Sequence, residues 1–177
     1  MQGTKVASRY ALSLLDLTEE KKVSDRISQD MESLISLTKD NHDFAVFLKN
    51  PIIKADKKIQ ILEKVFAHFD ELTKGFIRLI AKNGRERYLP VIAASFISQL
   101  KAHKGIVPVV LSSAAPLDAE VKESLLGKLQ SQVDGKFEVK EEIDKDLIGG
   151  FVFKMGDTRI EASIARQLKE LKHRLTN

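Results

Sequence analysis

Cysteine is absent from this 177-residue chain, and long apolar runs are absent as well. Without cysteine the chain can form no disulfide and no thiolate metal site, which fits a reducing compartment. No apolar run approaches the roughly eighteen residues that a membrane-spanning helix needs, so we expect no direct membrane insertion. The first residues lack the apolar core of a signal peptide and the arginine-rich character of a transit segment. We therefore expect a protein that is made and kept in the cytosol, or one that is already processed.

The motifs of common enzyme classes are missing too. There is no phosphate-binding Gly-x-x-x-x-Gly-Lys-Ser/Thr loop and no Gly-x-Ser-x-Gly nucleophile elbow. Gly149 and Gly150 lack the third glycine and following helix of a dinucleotide fingerprint, and relief of crowding at a strand entrance explains them better. The four histidines show no metal-ligand spacing. We expect no catalytic residue, no metal and no cofactor, and therefore no enzyme.

The formal net charge is +4, and the positive excess lies in residues 1–105. Such an excess could favour an anionic partner, but a solvated helical exterior is the favoured explanation, and few aromatic residues accompany the basic ones. We therefore expect no nucleic-acid partner. Asn83, Gly84 and Arg85, with Arg87 nearby, could form an anion site. A helix C-cap followed by the next helix accounts for the same residues and is favoured.

Residues 1–104 show helical periodicity throughout. Apolar residues recur at steps of three and four, which predicts five or six helices, and the short connections favour antiparallel neighbours. Gly84 is expected to end the fifth helix, and Pro90 to lie in the first turn of the next.

The first and fifth predicted helices have more apolar surface than a position in a bundle requires. Their apolar residues sweep about half of each helix or more. Each helix is therefore either buried on two sides or keeps one apolar flank for another chain. The residues are Val6, Ala7, Tyr10, Ala11, Leu14, Leu15 and Leu17 in the first helix, and Leu72, Phe76, Ile77, Leu79, Ile80 and Ala81 in the fifth.

Residues 105–177 change to the period of strands. Segments 106–111, 137–143, 150–155 and 158–161 read as strands, with a hairpin turn at Gly156-Asp157. Residues 121–133 and 164–175 carry helical stripes. The predicted fold class is α + α/β: an N-terminal bundle of five to six helices, followed by a small C-terminal α/β domain with a three- to four-stranded sheet. The predicted domains are 1–104 and 105–177.

Several short segments stand in the order found in a known family. They are residues 7–11 (ASRYA), 76–85 (FIRLIAKNGR), 113–117 (SAAPL), and 147–157 (LIGGFVFKMGD) followed by 160–163 (IEAS). Each motif alone is weak, but all of them in register are specific. Over essentially the whole chain the sequence resembles the δ subunit of F-type ATP synthase, the family of the oligomycin sensitivity-conferring protein.

This resemblance implies a non-catalytic stator subunit in the peripheral stalk of F1Fo ATP synthase. It implies that residues 1–104 bind the N-terminal helix of an α subunit and that residues 105–177 bind the C-terminal region of the b subunit, with one copy per complex. The chain would link the α3β3 head to the b stalk, so that rotary torque is resisted during proton-driven ATP synthesis. The implied location is the cytoplasmic face of the bacterial plasma membrane, peripherally through the complex.

In that family the α-subunit helix lies between the first and fifth helices, the two with surplus apolar surface here. The small Ala11 would allow close approach, and Tyr10 would add contact area with a polar tip. The competing interpretation is a free-standing helical scaffold or regulatory protein-binding module unrelated to a rotary motor, which composition alone does not separate. The expected groove residues are Tyr10, Ala11, Leu14, Leu79, Ile80 and Asn83.

Overall fold

The computed structural model describes residues 2–113, 127, 136–144, 147, 150–155 and 158–163. The chain forms two compact units, Met1–Leu100 and Lys101–Asn177. The boundary expected from the sequence, after residue 104, falls just beyond this division.

The first unit is a bundle of helices, as the periodicity predicts. None of the helices within the described ranges is long and apolar enough to cross a membrane. A 3₁₀ turn at Glu86–Tyr88 precedes the last helix. The predicted bundle of five to six helices is confirmed. Its elements are α1 (Gln2–Lys21), α2 (Ser24–Asp40), α3 (His42–Lys49), α4 (Ala55–Val65), α5 (Glu71–Lys82) and α6 (Leu89–His103).

Local polar contacts fix where several of these helices begin and end. The side chain of Asn41 accepts a 3.0 Å hydrogen bond from the backbone N–H of Phe44 at the start of α3. Asp70 caps α5 in the same way, accepting a 2.8 Å bond from the N–H of Leu72. Such caps satisfy backbone donors that have no partner within the helix. Beyond α5, Gly84 takes a φ of 65°, a left-handed conformation that glycine adopts without steric cost.

The apolar stripes of the helices meet in one core. Helix α6 contributes Ile92, Ala93 and Phe96, which have no exposed surface. Full burial of a large apolar side chain contributes about 1.5–3 kcal/mol, so this core contributes substantially to the stability of the unit. Its other fully buried members include Ala7, Ala11, Leu14, Ile27, Leu34, Ile80 and Ala81.

The second unit contains a four-stranded mixed sheet of order β2-β1-β3-β4. Strand β1 (Ile106–Ser113) pairs in parallel with β2 (Lys136–Ile143) and antiparallel with β3 (Gly150–Met155). Strand β3 pairs antiparallel with β4 (Thr158–Ser163). The predicted α/β domain with a three- to four-stranded sheet is confirmed.

Some sequence predictions in this unit fall on undescribed residues. The helix expected over 121–133 is described only at Gly127, which is helical. The helix expected over 164–175 and the turn at Gly156-Asp157 lie outside the described residues. On the sheet itself, Val109 and Leu111 are buried, whereas the residues of β2 are half-buried or exposed, as expected for the predicted half-exposed strand.

Candidate protein-binding groove

Helices α1 and α5 enclose a cleft on the surface of the helical unit. Its volume is about 360 Å³. Most lining side chains are apolar, and its only charged lining residues are Lys21 and Glu71. We call this cleft the α1–α5 groove. It is lined by Leu14, Leu17, Lys21, Glu71, Leu72, Gly75, Phe76 and Leu79.

Two large apolar side chains of the groove are open to solvent. Leu17 on α1 is 42% exposed and Leu79 on α5 is 50% exposed. Singly exposed leucines are common on protein surfaces. Here, however, the two line one concave site together with apolar neighbours, an arrangement that suits an amphipathic helix as partner.

The six residues expected from the sequence divide into two groups. Ala11, Leu14 and Ile80 have no exposed surface, so within this chain they support the groove from beneath, although Leu14 also lines it. The other three, Tyr10, Leu79 and Asn83, are at least partly accessible. Successive residues on a helix point about 100° apart, which is why two neighbours on α5 differ so sharply in exposure.

The side chain of Tyr10 is held by a polar network at one end of α5. Its hydroxyl accepts hydrogen bonds from the amide of Asn83 at 3.4 Å and from the guanidinium of Arg85 at 3.0 Å. Its ring packs edge-on against Phe76, with ring centres 6.4 Å apart. The backbone N–H of Arg85 donates to the carbonyl of Ile80 at 3.0 Å, which is the C-cap geometry expected for this segment.

Several groove residues were not among those expected from the sequence. Leu17, Leu72 and Phe76 belong to the apolar stripes, but the pattern alone did not single them out. Gly75 could have been found from the sequence, because it lies inside α5, where glycine costs about 0.5–1 kcal/mol of helix stability relative to alanine. An added Cβ at Gly75 would meet nothing within 4 Å, so packing inside the chain does not require a glycine there.

The groove is suited to binding rather than to chemistry. It combines apolar side chains with one basic and one acidic residue, and no nucleophile lies beside a general base in it. Throughout the described part of the chain, no group of three or more histidine or carboxylate residues is placed to hold a metal ion.

Comparison with known proteins identifies the family. The family described as ATP synthase delta (OSCP) subunit matches residues 6–175. The ATP synthase subunit delta of Cytophaga hutchinsonii is 36% identical over 177 residues, covering 99% of this chain and 97% of the relative. That of Christiangramia forsetii is 32% identical over 175 residues, covering 99% and 95%.

The fold is also found in a solved assembly. A chain of the cryo-EM structure of the Toxoplasma gondii mitochondrial ATP synthase hexamer matches with a TM-score of 0.72 over 97% of both chains, at 23% identity. The predicted function, a non-catalytic peripheral-stalk subunit of F1Fo ATP synthase, is confirmed over the alternative of a free-standing scaffold or regulatory module. The chain belongs to the ATP synthase delta (OSCP) subunit family.

Proposed function

We propose that the α1–α5 groove binds the N-terminal helix of one α subunit and that the unit Lys101–Asn177 binds the C-terminal region of the b subunit. One copy per complex then ties the α3β3 head to the b stalk and keeps the head from turning with the rotor. The chain carries this load on the cytoplasmic face of the bacterial plasma membrane, attached peripherally through the complex.

The observation that carries the proposal is the groove between α1 and α5, with Leu17 and Leu79 exposed in it. An amphipathic helix laid in such a groove buries apolar surface on both partners, with anchor residues at helical spacing. Covering both leucines removes apolar surface from water, which favours association by about 25 cal/mol per Å² before the costs of binding.

Gly75 supports a helical occupant independently. The residue lines the groove without a Cβ, and the space beside it is empty within this chain. Small residues at helix interfaces let two backbones approach closely. A glycine that weakens α5 without serving internal packing is explained if a partner helix crosses α5 at this point.

The assignment of the b subunit to the second unit is supported by family membership and by the division of the chain into two units. The first unit has a hydrophobic core of its own, whose buried members all lie between Ala7 and Leu100. A fragment of residues 1–104 should therefore keep the helical fold and bind an α-subunit N-terminal peptide, but fail to recruit b. Recruitment of b by that fragment contradicts the assignment.

The linking role is tested with the whole chain and the assembled head. Immobilised head should retain b only when the chain is added. Leu79→Glu should abolish retention, because a charge buried without a partner at the contact costs several kcal/mol. Val46→Glu is the matched control, because Val46 lies on α3 with similar exposure, 49%. Retention of b without the chain, or equally with both variants, would count against the proposal.

A further inference from the structure

A second cavity lies on α1 beside the groove, at the C-terminal end of α5. Its volume is about 330 Å³. Tyr10 lines it and also packs against Phe76 of the α1–α5 groove, so the two cavities are neighbours. We call it the arginine pocket. It is lined by Val6, Arg9, Tyr10, Ser13 and Arg85.

The arginine pocket has positive charge with no compensating carboxylate. Among the described residues neither Arg9 nor Arg85 forms an ion pair. By contrast, Arg26 and Arg78 of the same unit each contact a carboxylate. Both pocket arginines are exposed, and each guanidinium offers N–H donors and no acceptor.

The pocket also presents hydrogen-bond donors, and the acceptor capacity of its tyrosine hydroxyl is already used. The hydroxyl of Tyr10 already accepts bonds from Asn83 and Arg85, which uses both of its lone pairs. Within the described residues its own hydrogen has no acceptor. The hydroxyl hydrogen of Ser13 is used in a 3.1 Å bond to the carbonyl of Arg9, so Ser13 contributes an acceptor oxygen and no free donor. The free donors of Arg9, Arg85 and the Tyr10 hydroxyl outnumber the single free acceptor at Ser13, so the pocket favours a ligand that supplies acceptors and negative charge.

Arg85 is held in place before any partner arrives. One of its N–H groups donates to the Tyr10 hydroxyl at 3.0 Å, and its guanidinium carbon lies 5.5 Å from the centre of the Tyr10 ring. Its backbone is fixed by the cap at the end of α5. A guanidinium held in this way still has N–H donors available and loses less conformational freedom on binding than a mobile one.

We propose that the helix occupying the α1–α5 groove places an aspartate or glutamate side chain in the arginine pocket. Its carboxylate accepts hydrogen bonds from Arg85 and from the Tyr10 hydroxyl, and Arg9 adds charge. This inference rests on the proposed function, because the pocket adjoins the groove that the partner fills. Apolar contacts in the groove supply affinity, and the carboxylate fixes the register and direction of the bound helix.

The test uses the full chain and two peptides: the N-terminal segment of the α subunit from the same organism, and the same segment with every Asp and Glu replaced by Asn and Gln. Calorimetric titration should show that Arg85→Gln weakens the binding of the acidic peptide about tenfold or more, as expected for the loss of a charge-assisted hydrogen bond. The amide peptide should bind the original chain less tightly than the acidic peptide does. Its affinity should be the same for the original chain and for Arg85→Gln. Raising the salt concentration should reduce the affinity of the acidic peptide toward that of the amide peptide and leave the affinity of the amide peptide unchanged.

Arg87→Gln is the matched control. The guanidinium of Arg87 also stacks on a tyrosine, 4.6 Å from the ring centre of Tyr88, but Arg87 does not line the pocket. This variant should bind both peptides like the original chain. If Arg85→Gln lowers the melting temperature of the chain, Arg9→Gln tests the same pocket, and it should also weaken the binding of the acidic peptide only.

The possible outcomes separate the inference from the proposed function. The inference is overturned if Arg85→Gln weakens the binding of both peptides equally, or if neither pocket variant weakens the binding of the acidic peptide. The groove proposal stands in that case if Leu79→Glu still abolishes binding. Failure of the original chain to bind either peptide overturns both.

Discussion

The carboxylate of Asp30 in α2 accepts a 2.8 Å hydrogen bond from the hydroxyl of Thr73 in α5. The same oxygen accepts a 2.9 Å bond from the backbone N–H of Asp70, the residue that caps α5. Asp30 is only 3% exposed; its bond with Thr73 is buried and its bond with the Asp70 N–H is partly buried. Helix α2 therefore fixes the N-terminal end of α5, which forms one wall of the groove.

Asp30→Ala should lower the free energy of unfolding by about 2–4 kcal/mol, because two donors lose their acceptor and at least one is buried. Urea denaturation measures the change. Asp16→Ala, on an exposed position of α1, is the control and should stay within about 0.5 kcal/mol of the original chain. Similar losses in the two variants would contradict the role assigned to Asp30.

The ammonium of Lys58 forms an ion pair with Glu86 and donates to the carbonyl of Leu48 at 3.2 Å. Because Lys58 is 2% exposed, Lys58→Met should cost about 3–5 kcal/mol by leaving the carboxylate without its partner. Lys58→Met combined with Glu86→Gln should cost less than the two single changes added together.

The control for this ion pair is Arg78→Met, which breaks the more exposed pair with Glu63 and should cost at most about 1 kcal/mol. Denaturant melts of all four variants complete the comparison. If the two single changes at Lys58 and Arg78 cost the same, burial does not set the strength of the pair.

Leu79 and Ile80 are neighbours on α5 with opposite surroundings, 50% and 0% exposed. Ile80→Ala should lower the free energy of unfolding by about 2–5 kcal/mol through lost burial and a cavity. Leu79→Ala should change it by about 0.5 kcal/mol or less. Comparable losses in thermal denaturation would mean that Leu79 is not a surface residue of the free chain.

Gly75→Ala should raise the free energy of unfolding by about 0.5–1 kcal/mol, because α5 gains helix propensity and the new Cβ meets no neighbour. Gly84→Ala is the contrasting variant and should destabilise, because Gly84 has a positive φ that alanine disfavours. Thermal melts distinguish the two. Destabilisation by Gly75→Ala would show that α5 needs the glycine for its own fold.

The helical half was largely predictable because its apolar residues keep one period from α1 to α6. The pattern also marked α1 and α5 as the helices with surplus apolar surface, and the family resemblance implied a groove between them. It did not separate Leu79 from Ile80, or show that Ala11 is sealed by its own bundle, because such outcomes depend on how helices cross. Periodicity gives a stripe, and tertiary packing decides which edge of the stripe stays open.

Long-range polar contacts were beyond prediction for a different reason. Lysine is rarely buried without a partner, so nothing local indicates that Lys58 lies inside the bundle. Its partner Glu86 is 28 residues away, and Asp30 and Thr73 are 43 residues apart. The contact of Arg85 with Tyr10, across 75 residues, depends likewise on the end of α5 meeting the middle of α1.

Calorimetric titration of the full chain with the N-terminal peptide of the α subunit tests the central claim most directly. Leu79→Glu should weaken binding roughly a hundredfold or more, while Val46→Glu binds like the original chain and both variants keep its melting temperature. Tyr10→Asp should behave like Leu79→Glu in binding. If Leu79→Glu binds the peptide as tightly as the original chain does, the groove between α1 and α5 is not where the α subunit attaches.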